Sequence, residues 1–180
     1  MRVAVLKESF PGEQRVALVP AAAPSLTKAG VEIRIQSGAG VLAGYPDEHY
    51  AAKGAIVTDN KDDLFAADVL LCVRTAGANP TATVSELPHL RRGQTVIGMA
   101  DPLGEPKAAQ EMAEKGVSLF ALEMIPRITR AQSMDVLSAM ATVAGYRAVL
   151  LGALALPKMF PMMMTAAGTL SPARAFIVGA

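Results

Sequence analysis

The stretch TVIGMADPLGEPKAAQEMAEKGVSLFAL, residues 95–122, decides the fold class. Thr95–Met99 is a short apolar run preceded by the turn Arg91–Arg92–Gly93 and reads as a strand. Glu105–Lys115 reads as a helix stopped by Gly116, and Ser118–Leu122 as the next strand. A strand, a helix and a second strand in this order make one βαβ unit with parallel strands.

Upstream the same rhythm repeats. Val69–Val73 is an apolar strand, Ala55–Val57 a brief one, and Asp47–Lys53 a short helix ended by Gly54. Glu32–Gln36 alternates polar and apolar residues as a strand does. Ala21–Ala29 reads as a helix opened by Pro20 and closed by Gly30, with Pro24 moving its true start a few residues downstream. Val3–Leu6 supplies the first strand. The expectation is an α/β chain, a Rossmann-like three-layer domain with a mostly parallel sheet.

After this rhythm the pattern changes. Ser133 to about Leu156 reads as one long helix, with Leu137, Met140, Ala141, Ala144, Ala148 and Leu151 forming an apolar stripe. Ala173–Ala180 reads as an apolar strand running into Gly179. The expected organisation is a first domain over residues 1–132, a long helix and connector over 133–172, and over 173–180 the first strand of a further domain.

Composition narrows the function classes. The chain is 52% hydrophobic and 18% charged, enough apolar material for a buried core. Seventeen basic and sixteen acidic residues leave a net charge of +1, with no block of like charges, so nucleic-acid binding is not expected. The apolar run Ala148–Leu156 ends at Pro157 and falls short of the about 20 residues a membrane span needs, so no transmembrane segment is expected. The single cysteine, Cys72, fits a reducing compartment and a core position, although a strand would place Arg74 on its face.

His49 and His89 stand far apart in polar surroundings, so no metal site is expected. Ser37–Gly38–Ala39–Gly40 follows a strand but lacks the third glycine of a dinucleotide fingerprint. The segment richest in chemistry is Pro126–Ser138. Pro126 disfavours helix at Ile125, so a loop carries Arg127 and Arg130 to the start of the long helix. Gln132, Asp135 and Ser138 recur every third residue, on one face of a helix. Two arginines beside a helix N-terminus favour an anion such as pyrophosphate. A solvated polar face capped by Ser133 is the competing reading. The cluster holds no general base of neutral pKa, which suits a reaction needing positioning, such as hydride transfer.

PRITRAQSMDVLSAMATVAGYRAV, residues 126–149, closely resembles the alpha-subunit family of proton-translocating NAD(P) transhydrogenase, and so does FPMMMTAAGTLSPARAFIVGA, residues 160–180. The opening, Lys7–Glu8 with Pro11–Gly12–Glu13–Gln14–Arg15–Val16–Ala17, is similar to that family and to its relative, alanine dehydrogenase. The resemblance implies an NAD-binding component of two Rossmann-like domains, with NAD in the cleft between them. Its hydride would pass to NADP on a partner component, coupled to proton movement through a membrane component. By position, Arg127, Gln132, Asp135 and Ser138 would be the first domain's share of the cleft. Ile128 and Thr129 would lie against the cofactor through their backbone, and Gln132 near the nicotinamide. The resemblance further implies a homodimer, cytoplasmic and peripheral to the inner membrane through its partners.

Two positions disfavour alanine dehydrogenase. Val73–Arg74–Thr75 lacks that enzyme's substrate-binding lysine, and Gly98–Met99–Ala100–Asp101–Pro102 lacks its catalytic histidine. Gly179 matches the first fingerprint glycine of the second domain, so the expectation is a truncated chain, inactive alone. An alanine dehydrogenase fragment and a non-catalytic assembly domain remain as alternatives.

Overall fold

The computed structural model describes residues 1–179, in two compact units, Met1–Met134 and the part from Asp135 onward. The first unit is built on six parallel strands: β1 (Arg2–Val5), β2 (Glu32–Gln36), β3 (Ile56–Thr58), β4 (Val69–Arg74), β5 (Thr95–Met99) and β6 (Ser118–Ala121). Their order across the sheet is β3-β2-β1-β4-β5-β6, so the chain starts in the middle and winds outward in both directions. The bounds of β2 and β5 coincide with those expected from the sequence.

Alternation along the strands separates two cores. Val3, Val5, Ile33 and Ile35 face one side, where they pack with Ala23, Leu26 and the fully buried Tyr50. These last residues come from α1 (Ala23–Lys28) and α2 (Asp47–Ala51). Ala4, Leu70, Cys72 and Val96 face the other side, against Leu64, Phe65, Ala108 and Met112. Their helices are α3 (Lys61–Phe65) and α5 (Pro106–Glu114). Each large aliphatic side chain fully removed from water contributes about 1.5–3 kcal/mol. The result is the expected three-layer arrangement.

Short helices needed caps to be seen. Asn60 accepts from Asp63 N at 3.3 Å and starts α3; Asn79 accepts from Thr81 N at 3.1 Å and starts α4 (Pro80–Ser85). Neither helix is long enough to show a helical period, and neither was expected. At the other end of the sheet's connections, α1 begins at Ala23 after a 3₁₀ turn, because Pro24 belongs in a first helical turn.

The second unit holds α6 (Val136–Ala155), followed by a hairpin of β7 (Met163–Thr165) and β8 (Gly168–Leu170). The helix starts three residues later than expected, since Asp135 rather than Ser133 caps it. Nor is its apolar surface a stripe: Val143, Tyr146, Val149, Leu150, Leu151 and Leu154 are all exposed, and apolar residues run round the whole helix. With 20 residues and mean hydropathy 1.5, α6 is long and apolar enough to cross a membrane by length and composition alone. The hairpin was not expected. Its Thr165 hydroxyl closes the tight loop by donating to Gly168 O at 2.9 Å.

Ala173–Gly179, expected as a strand, carries none among the described residues, and Ala180 lies outside them. Phe176, Ile177 and Val178 are exposed. An apolar run becomes a strand only when a neighbouring strand accepts its backbone hydrogen bonds.

Candidate functional site

In a doubly wound sheet ligands favour the crevice beyond the carboxyl ends of the strands, where the winding reverses. Here that point lies between β1 and β4, and the protein fills it itself. Glu8, just after β1, accepts from Val73 N at 2.6 Å and from Arg74 N at 3.2 Å. Burial raises the Glu8 pKa, and the two amide bonds oppose that rise.

Beside it, Glu13 is gripped by two arginines. Arg15 donates through Nε at 2.7 Å and Nη2 at 2.6 Å, and Arg74 through Nε at 3.1 Å. The Arg74 guanidinium also stacks over the Phe10 ring, 4.4 Å from its centroid. The Arg15 hydrogen bond holds the Glu13 carboxyl down to about 2. Arg74 is thereby drawn to Glu13, and Cys72 is a buried core thiol whose pKa burial pushes well up. The sequence placed Glu8, Glu13 and Arg15 in a shared motif but gave no sign of their partners on β4.

A cavity of about 120 Å³ opens nearby, lined by Lys7, Ser9, Lys61, Ser85 and Glu86 among others. Burial, reinforced by the Glu8 charge and opposed by Lys61, pushes Glu86 up to about 7. The folded state therefore holds a proton that an unfolded carboxyl, with its ordinary pKa of 4.5, has released. Stability should fall as pH rises from 4.5 to about 7 and level off above. Glu86→Gln should flatten this slope and raise stability at alkaline pH by about 2 kcal/mol. Denaturant melts of both proteins on either side of the window test it; parallel pH profiles would refute the assignment.

The glycine loop after β2 offers no phosphate site. Asp47 accepts from Gly38 N at 2.9 Å and from the Ser37 hydroxyl at 2.8 Å. A Cβ on Gly40 would stand 2.6 Å from the Tyr50 hydroxyl, so a core aromatic ring already fills the space.

The Arg127 loop leaves the carboxyl end of β6 at the edge of the first unit. After Pro126 the chain makes a tight turn, with Ile128 N donating to Pro126 O at 2.9 Å, and then a 3₁₀ run over Thr129–Met134. Ala131 is buried and anchors this run, leaving Arg127, Ile128, Thr129, Arg130 and Gln132 exposed. Gln132 sits in the 3₁₀ run and not on α6, so the expected continuous helix face of Gln132, Asp135 and Ser138 is not formed.

In the second unit, Asp135 and Ser138 form a closed cap. The Asp135 carboxylate accepts from Ser138 N at 2.9 Å and from Ser138 Oγ at 2.6 Å. The Ser138 hydroxyl thus donates to Asp135 in this structure. Sequence reasoning also missed Glu123, which precedes the Arg127 loop and accepts from the amides of Ala100 and Asp101. Nothing in the sequence marks a carboxylate for a pairing across 22 or 23 positions.

The alanine dehydrogenase/PNT N-terminal domain model matches residues 4–144. The NAD(P) transhydrogenase subunit alpha of Cereibacter sphaeroides is 42% identical over 100% of this chain and 34% of its own length. The crystal structure of transhydrogenase from Sinorhizobium meliloti superposes with a TM-score of 0.87 at 42% identity, covering 96% of this chain and 50% of that one. An L-alanine dehydrogenase structure follows at TM-score 0.75 and 25% identity, over 86% of this chain and 40% of that one. The chain thus spans between about a third and a half of the length of these relatives. The parallel sheet, its winding and the matched residues together place the chain in the alanine dehydrogenase/PNT N-terminal domain family.

Proposed function

We propose that this chain is the NAD(H)-binding part of a transhydrogenase that passes a hydride between NAD(H) and NADP(H), coupled to proton translocation. The observation that carries this reading is the 42% identity to a transhydrogenase alpha subunit along the whole chain. Alanine dehydrogenase of Bacillus subtilis, by contrast, is 28% identical over 88% of it. The site chemistry agrees. Arg74, at the end of β4, is drawn to Glu13, and the turn after β5 carries no histidine to act as acid or base.

In this reading Arg127 pairs with the anionic part of NAD, and Ile128 and Thr129 offer backbone contacts. Gln132 faces the nicotinamide, while Asp135 and Ser138 supply polar groups for ribose or carboxamide. Positioning is what hydride transfer between two nicotinamides requires, since no proton is moved by the enzyme at the reacting carbon. NADP and the membrane component belong to partners, and the assembly is a cytoplasmic homodimer held at the inner membrane through them. Arg147 supports protein rather than lipid around α6: it stands past the midpoint of the helix, where a charge costs about 2.5–3.5 kcal/mol in a bilayer.

The assembled enzyme should reduce an NADP analogue with NADH and show no alanine-dependent NAD reduction. The reverse result would assign the chain to the alanine dehydrogenase branch. Activity in neither assay, with partner subunits still assembled, would leave a non-catalytic assembly domain.

A further inference from the structure

The carboxyl end of β5 carries a tightly constrained turn. Asp101 has φ 47°, the one non-glycine positive φ among the described residues. A side chain held there costs free energy and persists only where its surroundings enforce it. The enforcement is visible. Asp101 O accepts from Glu105 N at 2.8 Å, and Asp101 Oδ1 accepts from Gly104 N at 3.2 Å. From the neighbouring β4–α4 turn, Gly77 is pressed so close that a Cβ there would stand 2.0 Å from Ala100 O.

The remaining constraint comes from Glu123. Its Oε1 accepts from Ala100 N at 2.8 Å and from Asp101 N, holding the two amides at the strained position. Glu123 sits in the 3₁₀ turn Leu122–Met124, with only Ile125 and Pro126 between that turn and Arg127. One carboxylate therefore joins the turn after β5 to the root of the loop after β6. Its second oxygen, Oε2, is buried with no hydrogen-bond donor among the described residues, so the clamp is made by Oε1 alone.

We propose that Glu123 is a positioning residue: by clamping the Ala100–Glu105 turn it fixes the geometry from which the Arg127 loop meets its nucleotide. This rests on the NAD(H) reading above. Glu123 touches no reacting atom in this role and acts through Arg127. Exposed apolar side chains flank both loops, Leu103 on the turn and Ile128 beside Arg127, so two loop tips rather than one are presented at this end of the sheet.

The test compares Glu123→Ala and Glu123→Gln in the assembled enzyme. Gln retains Oε1 and both amide bonds; Ala loses them. At a temperature where circular dichroism shows both variants folded, Ala should weaken NADH binding roughly 10-fold and Gln should restore it to within about 3-fold of the parent. Hydrogen exchange supplies the second readout. Ala should speed exchange in residues 100–105 and also in the 126–134 loop, whereas Gln should leave both protected. A folded Ala variant with parental NADH affinity, or with faster exchange confined to 100–105, overturns the proposal. Should the parent enzyme fail to bind NADH, the functional reading falls, while the exchange measurement still decides whether Glu123 couples the two loops.

Discussion

Gly77→Ala is expected to cost about 3–4 kcal/mol of stability, lowering Tm by on the order of 10 °C. Two costs combine. Gly77 has φ +95°, a region that side chains avoid, and the new Cβ would meet the carbonyl oxygen of Ala100 at 2.0 Å. That oxygen cannot simply withdraw, because its own turn is fixed by Glu123 and by the internal bonds of Asp101. Relief requires moving either the β4–α4 turn or the end of β5. Gly93→Ala is the control: φ is +80°, but nothing lies within 4 Å of the added carbon. It should cost about 1 kcal/mol, the conformational part alone. Equal losses in the two variants, measured by denaturant melts, would show that the close approach does not constrain the fold. A larger loss at Gly77 identifies the junction of the two turns as a rigid part of the sheet's carboxyl end.

Such close approaches are absent from any reading of the sequence, while the sheet itself is largely present. Val3, Val5, Ile33, Ile35 and Val96 announce strands because alternation and β-branching act locally. The strand order is not local: β1 lies between β2 and β4, a consequence of packing helices on both faces. Two of the short helices, α3 and α4, escape notice, since their caps, not their periodicity, define them. The apolar run at 176–178 misleads for the opposite reason, being strand-like in composition without a partner strand. The candidate site follows the same division. Residues 126–138 stand out by composition, yet the break between a 3₁₀ run and α6 depends on Asp135 capping Ser138. Glu123 and Gly77 matter through residues 22 or more positions away, and single-sequence patterns carry no such information.

Arg127→Ala is expected to weaken NAD(H) binding by about 10–100-fold in the assembled enzyme, the effect of losing a charge-assisted pair worth about 1.5–3 kcal/mol. Arg127 is exposed, so fold stability should change by less than about 0.5 kcal/mol. Arg127→Lys separates charge from geometry: a fork that grips two phosphate oxygens is not replaced by a point charge, and affinity should recover only in part. Asp135 needs a different pair of variants because its carboxylate already caps α6. Asp135→Ala loses that cap, about 1 kcal/mol of helix stability, along with any ligand contact. Asp135→Asn keeps an acceptor for Ser138 N but removes the charge. If Asp135 only ends the helix, Asn should bind NADH like the parent; if it also receives ribose hydroxyls, Asn should weaken binding with the helix intact. Parental affinity in Arg127→Ala and Asp135→Asn together would make residues 126–138 a solvated polar connection and move the nucleotide contacts elsewhere. Loss in both, with melting unchanged, assigns the binding energy to these side chains and not to the fold that carries them.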